Sequence, residues 1–353
     1  MVTEDRVYCS SSFLQYRSII DKTKCFSLKY PSHFYSLPAE RTPITDSLKL
    51  EEVLKEKVEY TLKHSKAALA LSGGIDSPVL AKFMPKGSTA YTFQCIVPGV
   101  EVTNEVPISA KYAEECGLEH KVVEIFWEDF ERFTPLLMQA HGMPVHSIEV
   151  QIYKAALQAK KDGFDTLIFG QAADALYGGL DKLLSVDWTL ETFLNRYSFV
   201  MPDRVLKRFV IIDEPIKEHV EKKGFVDVHS FINNYFLFPS CDSYYNAMKC
   251  AGVNISMPYT HTYLNCPLDI ERIRRGRSKY FVREIFERQY PTFEVPYKTP
   301  MPRPMNEWFE NWQGPVREEF LPNCVEGMTG DQKWYMYCLE KFLDIIDGRV
   351  NEQ

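Results

Sequence analysis

Between residues 48 and 62, apolar side chains recur at Leu48, Leu50, Val53, Leu54, Val58 and Leu62. That three-to-four-residue spacing predicts a helix with one buried face. The pattern changes at Ala67-Ala68-Leu69-Ala70-Leu71, an unbroken apolar run with glycines just beyond it. Its shortness favours a strand buried on both faces of a parallel sheet. The alternation continues with a strand at 89–97, a helix at 106–116 and a strand at 121–125. Helices follow at 127–139 and 149–160, then a strand at 166–169. Strands alternating with helices predict βαβ units, and so an α/β fold around a parallel sheet. Beyond residue 186 the strand signal fades, and 189–199, 216–223, 228–234, 278–287 and 334–346 read as helix. The first 45 residues are mixed, with Pro31, Pro38 and Pro43, and short strands are expected at 26–30 and 34–37. The expected organisation is a short N-terminal arm (1–45), an α/β core (46–185) and a largely helical part (186–353).

Composition narrows the class. At 353 residues, with 45% hydrophobic and 25% charged positions, the chain has the balance of a soluble globular protein. That excludes a disordered polyelectrolyte and leaves ample material for a core. The formal charge of −7 gives no bulk attraction for nucleic acid or anionic membranes. Nine cysteines include no C-x-x-C pair, so a zinc ribbon or thioredoxin-type motif is not expected. The odd number and the absence of a signal-like opening suggest reduced thiols and a cytoplasmic location. No apolar stretch is long enough to span a membrane. The histidines form no H-E-x-x-H pattern.

The strongest chemical signal is Ser72-Gly73-Gly74-Ile75-Asp76-Ser77, directly after the apolar strand and followed by Pro78. Two glycines let a backbone turn tightly and present N–H groups to phosphate oxygens, and serine hydroxyls add donors. Pro78 suits a first helical turn, and a helix N-terminus adds partial positive charge. Asp76 would repel phosphate on its own, but it makes sense holding a Mg²⁺ that bridges phosphates. The loop is neither a Walker A sequence nor a G-x-G-x-x-G dinucleotide loop.

The hexapeptide resembles the SGGxDS signature of the PP-loop ATP pyrophosphatases, also called adenine nucleotide alpha hydrolase-like proteins. That resemblance implies cleavage of ATP between its α and β phosphates. A second stretch, 170–179, reads Gly-Gln-Ala-Ala-Asp-Ala-Leu-Tyr-Gly-Gly after another apolar strand. It is similar to the GEGSDELFGG motif of the asparagine synthetase family, to which β-lactam synthetase is related. Gly170, Asp174, Leu176, Gly178 and Gly179 match, with Tyr177 for phenylalanine. The resemblance extends over about residues 45–310, where Asn104-Glu105, Ala110, Ala113 and His120 also fit. It implies ATP and Mg²⁺, with Asp76 and Asp174 as metal ligands. The implied nucleotide site is Leu71, Ser72, Gly73, Gly74, Asp76, Ser77, Phe93 and Gly170. Lys298, in Val295-Pro296-Tyr297-Lys298-Thr299-Pro300, stands where the family places an active-site lysine. Its implied role is to neutralise charge building on the α-phosphate.

Two departures modify the expectation. Gln171 replaces the family's glutamate, and an amide can hydrogen-bond but cannot take a proton from an attacking amine. Ala175 replaces a second glutamate. The family's glutaminase nucleophile is an N-terminal cysteine, whereas position 2 here is Val2 and only about 45 residues precede the synthetase part. The expected activity is therefore an AMP- and pyrophosphate-forming amide synthase acting on a small-molecule carboxylate. Ammonia, an amine or a separate glutaminase would supply the nitrogen, and plain aspartate-to-asparagine conversion is not expected. A homodimer is compatible with this reading. Nucleic-acid and membrane partners are not expected.

Arg272, Arg274, Arg275, Arg277 and Lys279 form a basic run that reads as a solvated helix face or, as the second reading, as a cationic wall of the pocket for an acidic substrate or pyrophosphate. Arg283, one turn beyond Lys279, shares both readings. Trp308 and Trp312 read as core, and nothing in the sequence places Tyr153 near the site. Two other functions stay open. The loop with Pro78-Val79 is also similar to the SGGxDSPV loop of tRNA-thiolating enzymes, which would make Cys95 and Cys116 sulfur carriers. Alternatively, Gln171 and Ala175 mark a degenerate subunit that binds ATP as a scaffold.

Overall fold

Five short parallel strands organise the molecule in the computed structural model, which describes residues 1–297 and 300–349. Outside the central sheet, β1 (Thr3–Glu4) pairs with β2 (Lys24–Cys25). Next in the chain come β3 (Thr42–Ile44), β4 (Ala67–Ala70), β5 (Thr89–Cys95), β6 (Glu119–Ile125) and β7 (Thr166–Ile168). The last strands are β8 (Asn254–Ser256) and β9 (Thr262–Leu264). The central sheet runs β6-β5-β4-β7-β8, all parallel. All four residues of β4 are buried, as its apolar run requires, because helices cover both faces of such a sheet. The chain first moves outward from β4 to β5 and β6, then returns to the other side of β4 for β7. That reversal opens a crevice at the carboxyl ends of β4 and β7, where open α/β sheets bind ligands.

The early helices are α1 (Arg6–Tyr16), α2 (Ser47–His64), α3 (Asp76–Ala81), α4 (Val106–Cys116), α5 (Trp127–His141), α6 (Ser147–Lys161) and α7 (Ala173–Leu176). Helix α2 buries Leu50, Val53, Leu54 and Val58 along the predicted stripe, while Leu48 faces solvent. The Asp46 carboxylate accepts hydrogen bonds from the Leu48 and Lys49 amides at 3.0 and 2.9 Å, a cap that stabilises such a helix by about 1 kcal/mol.

The first 45 residues differ from the expected picture. No strand forms at 26–30 or 34–37. Phe26 instead packs edge-on against Phe342 at 5.3 Å, and the Tyr35 amide donates to the Asp242 carboxylate. Side-chain anchors, not a ladder, fix this segment. Helix α1 was not expected either, and its serines face inward: Ser12 Oγ donates to the Ser18 carbonyl at 2.7 Å. In the C-terminal half, β8 adds a fifth strand to the main sheet where no strand was expected. The helix expected at 228–234 is the start of a longer one, which passes through a π segment at Ile232–Phe236 into Leu237–Ala251.

Candidate active site

Since β4 and β7 are neighbours, the loops that follow them meet at the bottom of the crevice. Gly170 makes the approach feasible: a Cβ there would lie 2.8 Å from the Ser77 amide nitrogen and 2.9 Å from the Asp76 carbonyl carbon. The loop after β4 is closed by its own serines. Ser77 Oγ accepts from the Ser72 amide at 2.8 Å and lies 3.0 Å from Ser72 Oγ. Carbonyls around the loop are held from outside. Tyr259 Oη donates to Asp76 O at 3.1 Å, Tyr290 Oη to Pro78 O at 2.6 Å, and Thr92 Oγ1 to Leu71 O at 2.8 Å. This fixes the loop's backbone before any ligand arrives. Gly73 packs under Ile108 and donates its amide to Glu105, whose carboxyl is raised by burial and only partly lowered by that bond.

Asp76 opens α3 and Asp174 lies on α7. Both carboxylates converge on one ammonium, that of Lys279. Its Nζ lies 2.7 and 2.9 Å from the Asp76 oxygens and 2.9 Å from Asp174 Oδ1. Burial alone would lower the Lys279 pKa, but the attraction of Asp174 and Asp76 outweighs it and holds the group protonated. The backbone of Lys279 is left-handed (φ +50°), a conformation unusual for a side-chain-bearing residue and often found where a site over-determines geometry. A second such residue is Ala172 (φ +83°), just before Asp174, at the position where the similar motif carries glycine. Gly179 completes the cluster, since a Cβ on it would clash with Asp174 and come within 2.7 Å of Lys279 Cδ.

Above this cluster lies an open cleft. Of the sequence-predicted residues, Leu71, Ser72, Gly74, Asp76, Ser77, Phe93, Gly170, Gln171 and Asp174 line it. Gly73 does not; it supports the loop from behind. Lys298 lies outside the described residues, although Val295, Pro296, Tyr297 and Pro300 on either side of it in sequence all line the cleft. The basic run divides. Arg272, Arg274, Arg275 and Arg277 pair on the surface with Glu284, Asp187, Glu271 and Glu287, as expected of a solvated face. Lys279 and Arg283 turn into the cleft instead. The only sequence signal for them was their spacing, one helical turn apart. Glu105 and Tyr244 are further lining residues that carried no chemical role in the sequence reading.

Gln171 hydrogen-bonds to the Cys241 thiol, whose pKa burial pushes up to about 12. Cys95 and Cys116 are buried away from the cleft, and burial raises both thiols, Cys95 to about 12. Neither is among the residues that line the cleft. Tyr153 packs edge-on against Phe133 at 5.0 Å and does not line the cleft. Trp308 is in aromatic contact with Trp127 and Phe130, and Trp312 with Phe309.

The donor set suits Mg²⁺. Two hard carboxylates that already share one cation position match how this ion is usually held, with substrate phosphates and water completing its shell. Among the described residues no helix is long and apolar enough to cross a membrane.

A glutamine-hydrolyzing asparagine synthetase of Methanocaldococcus jannaschii, itself provisionally named, is 25% identical over 140 residues. That alignment covers 36% of this chain and only 25% of the relative. Similarity to solved structures is slight. An NH3-dependent NAD synthetase from Campylobacter jejuni gives a TM-score of 0.27 at 14% identity, covering 54% of this chain and 90% of that one. A U34-tRNA thiolase from Methanococcus maripaludis gives 0.25 at 16%, covering 71% and 83%. The asparagine synthase family model matches residues 49–227, which hold both carboxylate-bearing loops and make up about half of the 353 residues. On that match the chain belongs to the asparagine synthase family, and it is built on a five-stranded parallel sheet.

Proposed function

We propose that this protein is an amide synthase that adenylates a small-molecule carboxylate and releases pyrophosphate, after which ammonia or an amine displaces AMP. The observation that carries the reading is the convergence of Asp76 and Asp174, from loops after adjacent strands, on one cation position beneath a phosphate-type loop. Asp76 and Asp174 would hold Mg²⁺ there, and the ion would supply positive charge to offset what grows on the leaving pyrophosphate.

The chain's own groups divide the remaining work. The hydroxyl of Ser72 and the ammonium of Lys279, both in the cleft wall, hold the β and γ phosphates. Arg283 adds a fork of donors from the same helix face, and its position in the cleft wall supports that role. Leu71 and Phe93, at the ends of β4 and β5, border the nucleoside side. Lys298 is assigned by resemblance to the α-phosphate. A substrate carboxylate oxygen bonds to the α-phosphorus as the bond to pyrophosphate breaks. The amine nitrogen then bonds to the acyl carbon as AMP leaves. Gln171 orients the nucleophile without accepting its proton. Tyr244 also stays protonated, because burial, Cys241 and the two aspartates hold its phenol above the ordinary range. The proton therefore passes to a phosphate oxygen of the reaction itself.

Sulfur transfer is less well supported, given the burial of Cys95 and Cys116 away from the cleft. The test is exchange of labelled pyrophosphate into ATP, with Mg²⁺ and a panel of carboxylic acids. Acid-dependent label, abolished by Asp174→Ala, is the expected result. Full exchange in that variant would overturn the reading, and ATP binding without exchange under every acid would favour a scaffold.

A further inference from the structure

The charged groups that line the cleft among the described residues are Asp76, Glu105, Asp174, Lys279 and Arg283. All of them belong to the metal and phosphate end: Lys279 neutralises the aspartates, Glu105 holds Gly73, and Arg283 lies one turn from Lys279 on a helix packed against α2 and α3. Leu71 and Phe93 take the β5 side for the nucleoside. The space left for an acyl group is on the β7 side, and its walls differ in kind. Phe169 and Tyr244 meet edge-to-face at 5.1 Å, and Gln171 lies next in the chain with a neutral amide. Val295, Pro296 and Tyr297 form the rim, where Tyr297 is 88% exposed despite lining the cleft.

We infer that the acyl substrate is a neutral carboxylic acid with an apolar body of aromatic size, and that it is not an α-amino acid. This rests on the adenylation reading for where the carboxylate must sit. The carboxylate that the β7 side does bring to the cleft, Asp174, is taken up by Lys279 and the cation position. An α-ammonium group there would therefore meet no further carboxylate among the described lining residues, and an unpaired charge in such a wall is strongly disfavoured. A flat or branched apolar group would instead be covered by Phe169 and Tyr244 within and by Tyr297 at the mouth. Gln171 would donate to the carbonyl oxygen of the acid.

The experiment separates the two readings by measuring binding apart from turnover. The full chain, with Mg²⁺ and α,β-methylene ATP, is titrated calorimetrically with cinnamate, 4-hydroxybenzoate, octanoate, aspartate and glutamate; pyrophosphate exchange is run in parallel. At least one neutral acid is expected to bind about tenfold more tightly than either amino acid, a margin within reach of apolar pocket discrimination. Tyr297→Ser and Gln171→Glu should each weaken that acid by about tenfold while α,β-methylene ATP binding moves by less than about twofold. Binding without exchange would keep the acyl pocket and remove adenylation. Preference for aspartate or glutamate, or no binding by any neutral acid, would overturn the inference even if exchange is observed.

Discussion

Gly170 faces Ser77 so closely that a Cβ on it would fall 2.8 Å from the Ser77 amide nitrogen. Both partners are backbone, so neither can swing aside. Gly170→Ala must separate the loops that carry Asp76 and Asp174. The expected cost is about 1–3 kcal/mol in urea unfolding, in line with overpacking elsewhere. ATP affinity should fall as well, because the separated carboxylates no longer share a cation position. A variant as stable as wild type with unchanged ATP binding would contradict this geometry.

Lys279 is the counter-ion of two carboxylates in a site where its side chain is only 8% exposed. Removing one partner from a buried charge cluster typically costs about 3–5 kcal/mol. Lys279→Met should therefore melt well below wild type in EDTA. Added Mg²⁺ should recover much of the loss, and should raise the variant's melting temperature more than that of wild type. An equal loss with and without the ion would mean that the carboxylates do not share a cation site.

Ala172 holds a left-handed backbone at φ +83°. A side chain in that region costs about 1–2 kcal/mol, and a glycine avoids the cost while losing part of the gain to the entropy of its unfolded chain. Ala172→Gly should stabilise the protein by about 0.5–1 kcal/mol. Pyrophosphate exchange should be unchanged, since no cleft atom is altered.

Glu149 is buried beside His141, with Oε2 3.7 Å from the imidazole Nδ1. Burial raises the carboxyl from 4.5 to about 8 and lowers the imidazole from 6.5 to about 3, so at neutral pH this is a contact between neutral groups. Between pH 4.5 and about 8 the unfolded chain releases the Glu149 proton while the folded chain keeps it, and stability falls as pH rises through that window. Glu149→Gln cannot ionise. Its melting temperature relative to wild type should rise steadily from pH 5 to pH 8, as thermal melts across that range would show. A constant difference would show that Glu149 does not titrate there. His141 acts below pH 6.5 and in the opposite direction, so it does not imitate the effect.

The two carboxylate loops were legible because each lies within ten residues and follows an apolar strand. Local signals also gave α2, α4 and β4 nearly to their ends. Lys279 was not legible, since what distinguishes it from Arg277 is the direction it takes from a left-handed residue some 200 positions after Asp76. Nor was β8, three residues without an alternation long enough to read and fixed as a strand only by pairing with β7. Helix α1 failed for another reason. Its inward serines look like a turn until Ser11 Oγ is seen to accept from the Val210 amide at 3.1 Å, a partner the sequence places far away.

The Lys279 bridge also bears on how the protein comes to exist in a cell. Two carboxylates facing each other at the floor of a cleft would oppose the closing of that floor during folding. With the ammonium between them, the newly made chain carries its own neutralising charge and completes its core without waiting for the magnesium pool or for nucleotide. Under the proposed function, loading of the site would be an exchange of one cation for another on a finished scaffold, with the displaced lysine left beside the incoming phosphates.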